Sequence, residues 1–122
     1  MQEQPDLPAI TAVAHDYLEG MYRRDLARLR RIFHPTACLF GHYDRVFARV
    51  PLEEWLKAVE GRPVPADTGQ AFDMRIVSID VTGQVATVKA HGLYRGLRFT
   101  DYLTLARVEG QWLIVNKTFH HD

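Results

Sequence analysis

Ala86–Phe119 reads ATVKAHGLYRGLRFTDYLTLARVEGQWLIVNKTF, and its two breaks, Arg95-Gly96 and Glu109-Gly110, decide the fold. Two-residue linkers ending in glycine, flanked by alternating apolar residues, are strong hairpin signals. They predict strands over about 84–94, 97–108 and 111–120, and Thr82-Gly83 adds a fourth over about 71–81. Two-residue turns also fix register, and directly opposed residues share a face. The expected pairs are Tyr94 with Leu97, Ala90 with Asp101, Leu105 with Ile114, Leu103 with Asn116, and Asp101 with Thr118. One face then carries Val77, Ile79, Ala86, Val88, Ala90, Tyr94, Phe99, Leu103, Leu105, Trp112 and Ile114, with Asp101, Asn116 and Thr118 as its polar exceptions. The opposite face carries Lys89, His91, Tyr102, Val115, Lys117 and Phe119. Its half-polar, half-aromatic character suits packing on a second copy of the chain.

Upstream of the meander the period changes to that of helices. Ile10, Val13, Ala14, Tyr17, Leu18 and Met21 form one apolar stripe, with Asp6 and Pro8 at its start. Asp25 is placed to cap a second helix bearing Leu26, Leu29, Ile32 and Phe33, which His34-Pro35 should end. Ala37–His42 and Arg45–Val50 read as a small hairpin around Tyr43-Asp44, and Pro51 opens a third helix that stops at Gly61. Helices segregated from an antiparallel sheet make the class α+β, one domain over residues 1–122.

Composition narrows the function classes. Fifteen Lys+Arg against fifteen Asp+Glu give a net charge of +0, which argues against a nucleic-acid-binding or polybasic membrane module. One cysteine excludes an internal disulfide framework. The start, MQEQPDLPAI, has neither the basic residues nor the apolar run of a secretory leader, and no apolar run reaches membrane-spanning length. A cytoplasmic location is the expectation. The segments Tyr17-Leu18-Glu19-Gly20, Phe33-His34-Pro35, Ser78-Ile79-Asp80-Val81, Asp101-Tyr102-Leu103-Thr104-Leu105, Gly110-Gln111-Trp112 and Asn116-Lys117-Thr118-Phe119 occur in an order that resembles the putative lumazine-binding branch of the NTF2-like superfamily. That branch is related to SnoaL-like and ketosteroid-isomerase-like proteins. The resemblance covers residues 10 to 120. It implies an NTF2-like (cystatin-like) cone, three N-terminal helices packed on a strongly curved antiparallel sheet, with an interior pocket at the open end. It also implies a homodimer through the outer sheet face, here Tyr102, Val115, Lys117 and Phe119.

Asp101 is the leading site candidate. A carboxylate on an apolar inner face is costly unless hydrogen-bonded or protonated. It can serve as a general base, or as a neutral acid donating to a ligand carbonyl. The alternative is a scaffold role, with Asp101 bonded to Thr118, Asn116 or a helix end. Asn116 offers a ligand both a donor and an acceptor. Tyr17, Trp55, Tyr94 and Trp112 can line an aromatic pocket, though each alone is core-packing material. His34 can supply acid–base chemistry or close the second helix. Cys38 and His42 lie about 13 Å apart by strand rise, too far for a nucleophile–base pair, and Cys38 is expected in the core.

No nucleotide-binding glycine loop, hydrolase elbow or zinc spacing is present, so no metal or organic cofactor is expected. Three functions stay open: a binder of a small, partly aromatic or carbonyl-bearing molecule, a cofactor-independent lyase or isomerase using Asp101, and a dimeric interaction scaffold with a collapsed pocket. Residues alone do not decide whether the chain is an enzyme.

Overall fold

Positive φ angles at both central residues hold the expected turns at Arg95 (54°)–Gly96 (77°) and Glu109 (50°)–Gly110 (82°). The right-handed strand twist favours this turn geometry. The computed structural model describes residues 6–122; residues 1–5, part of the stretch read above for a leader, lie outside them. The elements are α1 (Asp6–Arg23), α2 (Leu26–Ile32), β1 (Phe33–Tyr43), β2 (Val46–Pro51), α3 (Leu52–Glu60), a short 3-10 turn (Pro65–Thr68), β3 (Met74–Thr82), β4 (Val85–Tyr94), β5 (Leu97–Val108) and β6 (Gln111–His121). Asp25 caps α2 as expected, its carboxylate accepting the N–H of Arg28. Helix α2 ends at Ile32, and Phe33 already begins β1.

The strands form one six-stranded sheet in the order β2-β1-β6-β5-β4-β3. The small hairpin therefore extends the meander, and β1 runs parallel to β6 while every other pairing is antiparallel. The helices cover the inner face. Ile10, Tyr17 and Leu18 of α1, Leu29 of α2, and Trp55, Leu56 and Val59 of α3 pack against Ala86, Val88, Leu103, Leu105, Trp112 and Ile114. Leu103, Leu105 and Ile114 are fully buried, each worth about 1.5–3 kcal/mol of apolar burial. The sheet centre is thus the anchor, and what lies beyond it is free to be shaped into a site.

Two β-bulges correct the expected register. In β6, Leu105 faces Ile114 as predicted, but the next pair is Thr104 with Asn116, so Val115 is the extra residue. An inserted residue reverses the phase of everything after it. Leu103 consequently faces Lys117 and Asp101 faces Phe119, where Asn116 and Thr118 were expected. Lys117 and Phe119 turn inward and do not lie on the outer sheet face, where they were expected. Asn116 and Thr118 turn outward, bonded to each other at 3.0 Å. A second bulge between Ile76 and Ser78 exposes Val77, expected inside, and turns Met74 and Ile76 toward the core. The β3–β4 turn falls at Gly83-Gln84 rather than Thr82-Gly83, pairing Thr82 with Val85. Cys38 is half-buried rather than in the core, because Ala37 and Leu39 take the inward positions of β1.

Gly41 explains how β1 follows the bulged strand. A Cβ there would lie 2.3 Å from the Phe119 carbonyl oxygen and 2.7 Å from its ring. Only glycine lets β1 come close enough to hold Phe119 in place.

Candidate functional site

Beyond the anchored core, the inner face opens into a cavity of about 150 Å³. Tyr17, Leu18 and Met21 of α1 and Trp55 of α3 form one wall. Met74, Gly92, Tyr94, Phe99, Asp101, Lys117 and Phe119 of the sheet form the other. Tyr43, Ala48, Val50, Arg62 and Arg95 complete it. The lining is apolar and aromatic with a few convergent polar groups, the usual make-up of a small-molecule site.

The polar centre is a buried pair. The Tyr17 hydroxyl donates to Asp101 Oδ2 at 2.6 Å. Helical phase turns Tyr17 onto the sheet from α1, and the β4–β5 turn places Asp101 on the inner face opposite Ala90. Asp101 is 9% exposed, and its Oδ1 is buried with no hydrogen-bond partner among the described residues. A buried acceptor left unmatched costs about 1–3 kcal/mol, which the fold must offset elsewhere. Burial first, then the Asp101 charge, pushes the Tyr17 hydroxyl well above the ordinary tyrosine range. Tyr17 therefore stays a proton-bearing donor.

Lys117 is the second polar group, and it is only 6% exposed. Its ammonium lies 4.7 Å from the centre of the Trp55 ring, 5.1 Å from that of Tyr17 and 5.6 Å from that of Phe119. It forms no salt bridge among the described residues. Loss of water lowers its pKa below the ordinary value; Asp101 works against that and Arg62 reinforces it. At the rim, Arg62 donates to the Tyr94 hydroxyl at 3.4 Å and Arg95 to that of Tyr43 at 2.9 Å. Both guanidinium groups also lie over those rings, at 5.9 Å and 5.8 Å.

Of the expected site residues, Tyr17, Trp55, Tyr94 and Asp101 line the cavity. Asn116 and His34 do not. The Val115 bulge turns Asn116 to the outer face, where it accepts from Thr118. His34 lies in β1 beyond the end of α2, and its Nδ1 accepts the backbone N–H of Thr36 at 3.1 Å. Trp112 belongs to the core. Lys117, Arg62 and Phe119 escaped the sequence reading. The signal for the first and last was present: Leu113-Ile114-Val115 breaks the alternation, and Phe119 is an aromatic out of phase with Trp112. Among the described residues no cluster of three or more His, Cys, Asp or Glu side chains is placed to hold a metal ion, and no helix is long and apolar enough to cross a membrane.

Residues 5–120 match the family described as Putative lumazine-binding. The chain belongs to that family. Its fold is NTF2-like. An NTF2-like protein of unknown function from Shewanella baltica OS155 superposes with a TM-score of 0.86 at 27% identity, covering 100% of this chain and 98% of that one. Another, from Silicibacter pomeroyi DSS-3, superposes with a TM-score of 0.83 at 28% identity, covering 100% of both. Among curated proteins, the chain is 26% identical over 114 residues to a protein named Aldolase FrzH from a Cladobotryum species, covering 92% of this chain and 88% of that one.

Proposed function

We propose that this NTF2-like protein binds a small, partly aromatic or carbonyl-bearing molecule in the cone cavity, held between the aromatic walls with its polar end at Tyr17 and Asp101. The buried Tyr17–Asp101 hydrogen bond at the cavity wall carries this reading. A charged side chain so deep in apolar surroundings costs stability, and recognition of a polar ligand group gives it a use. An apolar cavity of about 150 Å³ accommodates a benzene-sized molecule. This cavity is of that size, so a single ring fits inside. A two-ring pteridine such as lumazine would leave part of itself in the mouth, beside Arg62 and Arg95. An open cavity also weighs against the scaffold with a collapsed pocket.

A second reading has its own support: a cofactor-independent lyase or isomerase. Asp101 as a carboxylate takes a proton from the carbon next to the ligand carbonyl, and the Tyr17 hydroxyl steadies the carboxylate through the exchange. Aldol chemistry begins with that proton, and a relative covering most of the chain carries the name aldolase. Two-dimensional NMR titration with cyclohexanone and with lumazine tests the binding reading. Shifts confined to cavity residues, with the Trp55 indole among them, are expected; absence of any shift at millimolar ligand contradicts it. Deuterium exchange at the ketone α-carbon tests the enzyme reading. Asp101→Asn should keep binding and slow the protein-dependent exchange about 100-fold or more, the usual scale of a general base; equal rates exclude Asp101 as the base.

We also propose that two copies pair through the outer sheet face. The patch keeps Tyr102 and Val115 from the expected set and loses Lys117 and Phe119. Tyr102 is 45% exposed, beneath the Lys89 ammonium at 5.6 Å.

A further inference from the structure

Neither reading above uses Lys117, although it is the cation set most deeply in the cavity wall. We propose that Lys117 is a nucleophilic amine that condenses with an aldehyde or ketone in the cavity to form an imine. The proposal rests on the reading that the cavity takes a carbonyl compound. Its geometry is independent of that reading. The bulge at Val115 turns Nζ to the cavity side. Three aromatic rings surround it, and no carboxylate forms a salt bridge with it among the described residues.

The surroundings suit the chemistry. Burial favours the neutral amine, the form that attacks carbonyl carbon; the titratable groups facing it are Asp101, Arg62 and Tyr17. The rings keep bulk water away and oppose premature hydrolysis. In the step itself the Nζ lone pair forms the C–N bond as the carbonyl π bond breaks. Both amine protons then leave with the carbonyl oxygen as one water, with Asp101 on the same wall as their carrier. The same water returns on hydrolysis, so no oxidant or reductant is required.

The chain has three lysines, Lys57, Lys89 and Lys117, which makes the site of reaction easy to map. The full chain is incubated with benzaldehyde and sodium cyanoborohydride near neutral pH, followed by intact-mass measurement and peptide mapping. One benzyl group should appear on Lys117 at least several-fold faster than on Lys57 or Lys89, because burial leaves more of that amine neutral. Lys117→Arg keeps the charge in its cage but cannot form the imine, and should lose that fast phase while circular dichroism and NMR shifts by benzaldehyde remain. Benzaldehyde binding with label only on Lys57, Lys89 and the terminal amine would overturn the imine and leave the cavity reading standing. No benzaldehyde binding and no label on Lys117 would overturn both.

Discussion

Strand β6 is two different strands on either side of Val115. Before it, Trp112 and Ile114 point inward as ordinary core, against Leu105 and the helices. After it, the inward positions go to Lys117 and Phe119, which line the cavity. The first half stabilises the protein; the second half places a charged group where stability alone would not put one. One extra residue makes the difference. A bulge is a low-cost way to re-aim side chains without changing the strand order.

Mutations on the two sides should divide accordingly. Ile114→Ala leaves a cavity in packed core and should cost about 2–5 kcal/mol in urea unfolding. Phe119→Ala should cost distinctly less, because Phe119 is only partly buried and borders the cavity. Equal costs would mean that the two halves are not functionally divided. Gly41→Ala should cost about 1–3 kcal/mol, since its methyl group meets the Phe119 backbone, which cannot swing aside. Unchanged stability in that variant would show that β1 does not brace the bulged half.

Lys117→Met sharpens the comparison by reversing its sign. Replacing buried charge with a well-packed apolar side chain often stabilises, here by about 1–2 kcal/mol at neutral pH. The pH dependence follows. The folded-state pKa of Lys117 lies below its unfolded value of 10.5, so the unfolded chain binds more protons between the two. Stability from this group therefore rises with pH across that window. Tyr17 works the other way, because its raised folded-state pKa contributes stability that is lost as pH climbs past 10.0. Urea titrations from pH 7 to 10 should show a rise in the parent protein that Lys117→Met flattens; identical slopes would place Lys117 in water. The smallest effect on folding belongs to the outer face. Tyr102→Arg should leave the fold and the cavity intact while shifting sedimentation from dimer to monomer, and a parent protein already monomeric at micromolar concentration would refute the pairing.

The legible parts of the molecule are those governed by local rules. Glycine turns at 96 and 110, the Asp25 cap and the α1 stripe follow from backbone sterics and period, and each is present. Tyr17, Trp55, Tyr94 and Asp101 reach the cavity because no bulge intervenes between them and the features that set their phase. Asn116 and Lys117 exchange faces because register was carried from the Glu109-Gly110 turn through Val115 as though alternation were unbroken. Pairing of β1 with β6 was hidden for a different reason. It joins strands far apart in sequence, and no turn records it.

Side-chain NMR titration of Lys117 tests most directly whether the bulge delivers a buried amine to the Tyr17–Asp101 cavity. With lysine labelled at Cε, its signal should show contacts to the Trp55 and Tyr17 rings and titrate with a midpoint below 10.5. A midpoint at or above that value, without ring contacts, would put the amine in solvent and contradict the account.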